Sequence, residues 1–413
     1  MKKYTLGVLL AAIALTGVSI SAIAQKREFP KPPVYVNPTA PEMPVIASSA
    51  FFDTAMLKSE RFLELREAGF NMSRQSMSQI RADLALKAIE GTGVKMMLYC
   101  WEALDPKRTV SVINKYKNNP NIGAYFVFDE PKASKFEYVK ELNDLFRRAD
   151  SSKLTHINIY PTMDSKTLEA PDYRTYVEEF VSIVNPTFLC FDHYAINVND
   201  GKLVCTPRYF ENLEIISDVA KKSERPFYSY VLCNKFDKHP IPDRANLRFQ
   251  IFSVLGYGAQ GLNYFTYCPP DFDKDNEFTY TPLDHDGNRT SVWYALKDVN
   301  AEVHNLEKYF LGADFITVEH TGKNIPIGTR YLNSPLPAPF TALTSNGEGV
   351  MVSHFKNKGK DYLFILNRDL NKKQKVNFTK TAPVVRITGD GKRKTDNSKS
   401  VVLPPCGYAL YEL

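Results

Sequence analysis

An α/β fold, a (β/α)8 barrel followed by a small antiparallel β-sandwich, is what the sequence predicts. Three observations carry it. Eight short apolar runs alternate with amphipathic segments between residues 43 and 311, the segments carry helix start and stop signals, and after Leu311 the pattern changes to short alternating stretches separated by turn residues.

The first 24 residues stand apart from this rhythm. Lys2 and Lys3 precede an apolar run from Leu6 to Ile23 that ends in Ala22-Ile23-Ala24, the charged, apolar and small-residue order of a secretory signal peptide. The run approaches the roughly 20 residues that span a bilayer, so an uncleaved anchor is the competing reading. No other stretch is long and apolar enough to cross a membrane, and no cysteine near the cleavage site invites a lipid. The expectation is a mature chain without a membrane span, periplasmic or secreted. Residues 25–42 hold five prolines among polar residues without periodicity, an extended leader.

The expected strands are Val45 to Phe52, Phe70 to Gln75, Val94 to Cys100, Ile122 to Phe128, Thr155 to Tyr160, Thr187 to Phe191, Pro226 to Cys233 and Gly261 to Tyr267. Between them, Asp105 and Pro106 open one helix, and Ser134 with Glu137 forms a capping box ahead of Val139, Leu142 and Phe146. Asp243 opens a helix with Leu247, Ile251, Val254 and Leu255 at helical spacing, and Gly69 closes an earlier one. Eight strand-helix units over residues 43–311 match a closed barrel of the TIM type in count and length. An open doubly wound sheet would carry a glycine-rich turn after its first strand, where this chain has Ala47-Ser48-Ser49-Ala50. Residues 312–413 read as a β-sandwich with strands at Val350 to Phe355, Tyr362 to Asn367, Lys375 to Phe378, Val384 to Thr388, Val401 to Leu403 and Tyr408 to Leu413.

Composition narrows the function classes. The formal charge of +6 falls to +4 when Lys2 and Lys3 leave with the signal, and lysines and acids are interspersed, so nucleic acid is not an expected partner. Cys100, Cys190, Cys205, Cys233, Cys268 and Cys406 lie far apart with no CxxC pair, and four sit in apolar strand contexts that suit buried free thiols. Histidines are few and no HxH or HExxH spacing occurs, so neither a metal nor an organic cofactor is implied.

In a barrel of this kind the site lies at the carboxyl ends of the strands. Those ends read Phe52-Asp53, Arg74, Trp101-Glu102, Asp129-Glu130, Tyr160, Asp192-His193-Tyr194, Asn234 and Tyr267, nearly all polar or aromatic. The sharpest is Tyr125-Phe-Val-Phe-Asp129-Glu130-Pro131, where two acids end a strand too apolar to be exposed. Adjacent acids on a strand point to opposite faces, so one is expected in the mouth and the other in the loop. Desolvation beside aromatic walls raises a carboxyl pKa, which a general acid at neutral pH requires. Helix capping by both acids is the plainer alternative.

At Asp129-Glu130-Pro131 the chain resembles the clan A glycoside hydrolases, whose fourth barrel strand ends in Asn-Glu-Pro with the glutamate as acid/base. The resemblance implies Glu130 as acid/base, with Asp129 in place of the asparagine able to accept but not donate a hydrogen bond to a sugar hydroxyl. It also implies a nucleophilic glutamate after strand seven, yet that strand ends in Leu232-Cys233-Asn234. Asp192, at the same apolar-to-acid switch on strand six, is the first candidate for the second carboxylate, with Asp237, Glu102, Asp271 and Asp273 open.

Aromatic residues make up 12% of the chain, and several stand at strand ends, where sugar C–H faces would stack on them. The expected function is hydrolysis of O-glycosidic bonds in an oligo- or polysaccharide, with Arg74, Trp101, Asp129, Tyr160, His193, Tyr194, Asn234 and Tyr267 binding the carbohydrate. The alternative is a glycan-binding barrel that has lost catalysis. Amino-terminal sequencing of the exported protein should begin at Gln25, and recovery of the intact terminus in the membrane fraction would favour an anchor instead.

Overall fold

The structure, a computed structural model, describes residues 28–51, 53–270 and 277–413. The signal segment, Phe52, Asp271 and Asp273 lie outside the described residues.

The barrel strands are β1 (Val45–Ser48), β2 (Met72–Met77), β3 (Lys95–Cys100), β4 (Ile122–Asp129), β5 (Leu154–Asn158), β6 (Leu189–Phe191), β9 (Phe227–Leu232) and β10 (Gly261–Phe265). All pair in parallel in the order β5-β4-β3-β2-β1-β10-β9-β6. The ring closes where Ile159 meets Phe191, with the Ile159 N–H on the Cys190 carbonyl at 2.9 Å. The chain is a closed TIM barrel, and each predicted strand is present.

A hairpin, β7 (Ile196–Asn199) and β8 (Lys202–Cys205), is inserted between β6 and β9. Asp200 and Gly201 form its turn with φ of 48° and 72°, the pair of left-handed residues that a two-residue hairpin loop needs. The sequence reading passed over this insertion, although the Asp-Gly dipeptide marked it.

The helices are α1 (Ser59–Glu67), α2 (Gln79–Ile89), α3 (Thr109–Tyr116), α4 (Phe136–Ala149), the one-turn α5 (Ser165–Leu168), α6 (Tyr173–Val184), α7 (Tyr209–Lys222), α8 (Arg244–Gly256) and α9 (Ser291–Phe310). Each amphipathic one turns its apolar stripe to the strands, as α4 does with Phe136, Val139, Leu142 and Phe146. Asp243 caps α8 by accepting the Asn246 N–H at 2.8 Å. Gly69 follows α1 with φ of 87°, and a β-carbon there would lie 2.5 Å from Cβ of Asn300. Two start signals act differently from the expectation. A 3-10 turn at Ala133–Lys135 precedes α4, so Lys135 takes the cap position and Ser134 falls one residue before it. Asp105 instead closes the turn before α3, accepting the Lys107 N–H.

Two apolar clusters divide the barrel. Between strands and helices lie residues such as Tyr125, Val127 and Tyr264, and inside the ring lie Ile46, Met72, Met97, Ala124, Phe126, Leu154, Phe188, Cys190, Tyr228 and Tyr230. The leader closes the amino-terminal end of this interior. Tyr35 bonds through its hydroxyl to that of Tyr228 at 2.7 Å and meets Phe188 edge-on, while the Pro30 and Pro38 carbonyls accept from Arg225 and Lys95.

After α9 the chain forms nine antiparallel strands: β11 (Asp314–His320), β12 (Phe340–Ser345), β13 (Val350–Asn357), β14 (Lys360–Asn367), β15 (Gln374–Lys380), β16 (Val384–Ile387), β17 (Arg393–Asp396), β18 (Ser400–Leu403) and β19 (Tyr408–Glu412). They make a six-stranded and a three-stranded sheet around a separate core that includes Val352, Ile365, Val376 and Tyr411. The larger sheet packs on the barrel helices: Tyr408 stacks on Phe252 of α8 at 4.1 Å, and Ser353 donates to the Gly256 carbonyl.

Because Tyr35 contributes both a ring and a hydroxyl to the barrel floor, Tyr35→Ala should lower unfolding stability by about 2–3 kcal/mol. Its exposed neighbour Val34 should tolerate alanine within about 0.5 kcal/mol. Urea unfolding of the two variants checks the contrast.

Candidate active site

Alternation along β4 and β5 decides what reaches the mouth. On β5, His156 and Asn158 point inward and Ile157 outward. On β4 the register with β5 shifts between Phe126 and Phe128, leaving Val127 as an extra residue. Val127 and Phe128 therefore both face the helices, where Phe128 meets Tyr138 edge-on, and Asp129 arrives beside Asn158 facing inward.

The strand ends there. Glu130 takes φ of 46°, a left-handed conformation uncommon outside glycine, and its N–H bonds to the Asn158 carbonyl at 2.8 Å. This overturns the expectation that one acid faces the mouth and the other the loop. Once Glu130 leaves the extended conformation, strand alternation no longer separates it from Asp129, and both carboxylates share one space with Asp192.

Asp192 follows β6. The Asn158 side-chain amide spends one hydrogen on Asp129 Oδ1 at 3.0 Å and the other on Asp192 Oδ1 at 3.1 Å. Below them lies Arg74, 7% exposed, with its guanidinium 3.9 Å over the Phe126 ring and 5.1 Å from that of Tyr99. Its Nη2 lies 3.9 Å from Asp129 Oδ2. Phe126 in turn stacks on His156, which burial holds neutral with a pKa lowered to about 3.

The acids shift one another. Burial and then the neighbouring Asp129 raise the Glu130 pKa to about 7. Asp192 is raised well above the ordinary aspartate range, first by burial and then by Glu130 and Asp129, while the Asn158 hydrogen bond opposes the rise. Tyr160 is raised too, by burial and then by Glu130, with Lys132 opposing and Asp129 and Asp192 adding to the rise.

The other sequence-predicted residues divide. Tyr194 stacks on Phe265 at 6.4 Å and meets Phe236 and His239 edge-on, forming an aromatic wall next to Asp192. Trp101 is 51% exposed and steadied by its indole N–H on Ser76 Oγ. Asn234 is fully buried, its Oδ1 accepting the Thr266 N–H at 3.0 Å while its Nδ2 has no hydrogen-bond partner among the described residues, so strand seven presents an amide half occupied with the backbone. His193 packs edge-on against Tyr209 of α7, its pKa lowered to about 4 by burial, and faces the helix layer. Tyr267 is fully buried between Phe51 and Phe70 and accepts from the Trp293 indole, so no ligand in the mouth can touch it. Of the open alternatives for the second acid, Glu102 accepts the Gln79 N–H at the start of α2, and Asp237 is exposed in the loop after β9.

Sequence reasoning missed Asn158. Its signal was the polar residue at every second position in His156-Ile-Asn158-Ile-Tyr160, which marks a strand whose inward face is wet.

The raised Glu130 pKa has a sign in stability. An unfolded glutamate ionises from about pH 4.3, whereas Glu130 holds its proton up to about 7, so folding loses free energy across that interval and no more above it. Glu130→Gln should match the native chain at pH 4 and exceed it at pH 8 by about 1–2 kcal/mol, allowing for solvent screening of a partly exposed group. Thermal unfolding at the two pH values measures the difference.

No family model and no curated protein matches this chain. Solved structures do. A glycoside hydrolase family 5 protein from Bacteroides vulgatus superposes with a TM-score of 0.58 at 13% identity, over 90% of this chain and 89% of that one. A β-galactosidase from Bacillus circulans gives 0.59 at 10% identity, over 90% and 99%. Another from the haloarchaeon Halorubrum lacusprofundi gives 0.53 at 10%, over 90% and 99%. At such identities the likeness is one of fold, and that fold is the (β/α)8 barrel that the strand-helix rhythm led one to expect.

Proposed function

We propose that the protein is an exported O-glycosyl hydrolase of an oligo- or polysaccharide, with Glu130 as acid/base and Asp192 as the second carboxylate. One observation carries the reading: at the carboxyl end of β4 a glutamate that keeps its proton to about pH 7 stands in one cluster with a second buried acid. A carboxyl protonated near neutrality can protonate the leaving glycosidic oxygen, and the second carboxylate can attack the anomeric carbon or activate water. A separation of about 5 Å favours attack and retention, and roughly 6.5 to 9.5 Å leaves room for water and inversion. The glycosidase names of the structural neighbours support the same reading by analogy of fold.

Arg74 and Asn158 hold Asp129 where it can accept a hydroxyl of the bound sugar. Tyr194 and Trp101 offer ring faces for sugar C–H surfaces, and Tyr160 offers a hydroxyl near the reacting bond. A second reading has one observation in its favour: strand seven ends in Asn234, an amide whose oxygen accepts from Thr266, where the resemblance leads one to look for a nucleophile. In that reading the mouth binds glycan without cleaving it.

Glu130→Gln should cut turnover of a natural glycan by about 10² to 10⁴ while leaving binding largely intact, and an activated aryl glycoside should lose less because its leaving group needs little protonation. Asp192→Asn should be severe on both substrates. Product analysis by mass spectrometry on a polysaccharide panel checks this. Near-normal turnover by Glu130→Gln would sink the assignment, and tight glycan binding without turnover by the native chain would favour the binding protein.

A further inference from the structure

Three acids share one mouth, and one residue touches the arrangement of all three. The Asn158 carbonyl accepts the Glu130 N–H at 2.8 Å, and its side-chain amide donates to Asp129 at 3.0 Å and to Asp192 at 3.1 Å. Asn158 is 2% exposed, at the end of β5 midway between the two strands that carry the acids, so its rotamer is fixed by packing as well as by bonding. Both amide hydrogens are spent on carboxylates. The Glu130 carboxyl receives no side-chain donor among the described residues.

That asymmetry has a chemical meaning. A neutral amide N–H stabilises a carboxylate more than a carboxylic acid. We propose that Asn158 is the positioning residue of the acid cluster, holding Asp129 and Asp192 in register with Glu130 and favouring charge on Asp192 against the burial and the neighbouring acids that oppose it. The inference rests on the glycosidase reading for its kinetic consequence but not for its electrostatic one. It assigns a role to a residue that would not itself exchange a proton or bond with the substrate.

The groups that face Asp192 define what else could move its titration. Glu130 and Asp129 approach from β4 and raise it, and Arg74 from β2 stands behind Asp129 as the countering cation. The phenols of Tyr160, Tyr173, Tyr176 and Tyr194 and the thiol of Cys190 all have pKa values raised above their ordinary ranges, by burial first, and stay uncharged through the neutral range. Asn158 is the side-chain donor that offsets the burial of Asp192.

The test uses the full exported chain with carbon-13 label in the aspartate carboxyls, the Asp192 resonance being assigned by its loss in Asp192→Asn. Asn158→Leu keeps the volume and removes both donors. It should raise the Asp192 titration midpoint by about one pH unit or more. The acid limb of kcat/KM on any substrate turned over should rise with it, and kcat should fall more than KM changes. Asn158→Ser, which retains one short donor, should shift less. A folded Leu variant whose Asp192 midpoint and pH profile match the native chain overturns the proposal, even if its activity or stability is lower, because a purely structural asparagine would do that. Should neither variant fold, the native chain still decides. The nitrogen-15 side-chain resonance of Asn158 must titrate together with Asp192, and its failure to do so overturns the proposal. If no glycan is cleaved at all, the titration arm stands, and the glycosidase reading alone falls.

Discussion

The carboxyl end of the barrel is organised by the electrostatic cost of holding three carboxylates in a half-buried space above one guanidinium. Arg74 cannot shed its charge, and its position over Phe126 gives the cation an aromatic face as well as an anion. With three acids and one buried cation, full ionisation of the cluster is strongly disfavoured, and protons are retained near neutrality. General acid chemistry asks for this condition, and here it comes from the charge count and the burial together.

The backbone supplies what electrostatics alone could not. The bulge at the extra residue of β4 keeps Asp129 inward, the left-handed Glu130 brings the second acid to the same side, and the closure of β5 on β6 through Ile159 and Phe191 brings Asp192 within reach of Asn158. The bulge and the left-handed Glu130 are local and mildly unfavourable, and both persist because the surrounding ring over-determines them. The sandwich, docked on α8 through Tyr408 and Ser353, lies outside this arrangement and braces the barrel from its helical side.

Much of the fold was legible because it is written in periodicity. The eight apolar runs, the cap at Asp243 and the glycine after α1 depend on nearest neighbours in sequence, and each appears where the pattern put it. The acid pair at the end of strand four was equally visible as an apolar strand that stops on charge. What periodicity could not show was direction. Tyr267 stands two residues past the inward-facing Phe265 yet turns to Trp293, since a residue past the strand obeys the loop and not the pleat, whereas His193, one residue past the inward Asp192, stays on the helix side where the pleat puts it. Glu130 escaped the alternation rule for the same reason as Tyr267. Asn158 was overlooked because an amide inside an apolar run draws less notice than an acid at its end.

The additional residue at Val127 also changes what kind of genetic experiment would be informative. The placement of Asp129 depends on how many residues β4 contains before it, and only weakly on which they are. A substitution scan along this strand would register little more than packing. Removing Val127 would take out the bulge and leave Phe128 on the helix side and Asp129 facing inward, whereas inserting one residue between Phe128 and Asp129 would turn Asp129 to the helix layer, with the acids of the mouth unchanged on paper. In this barrel the direction of the strand-four acid is specified by counting, and small insertions or deletions in one strand are the route by which it would be changed.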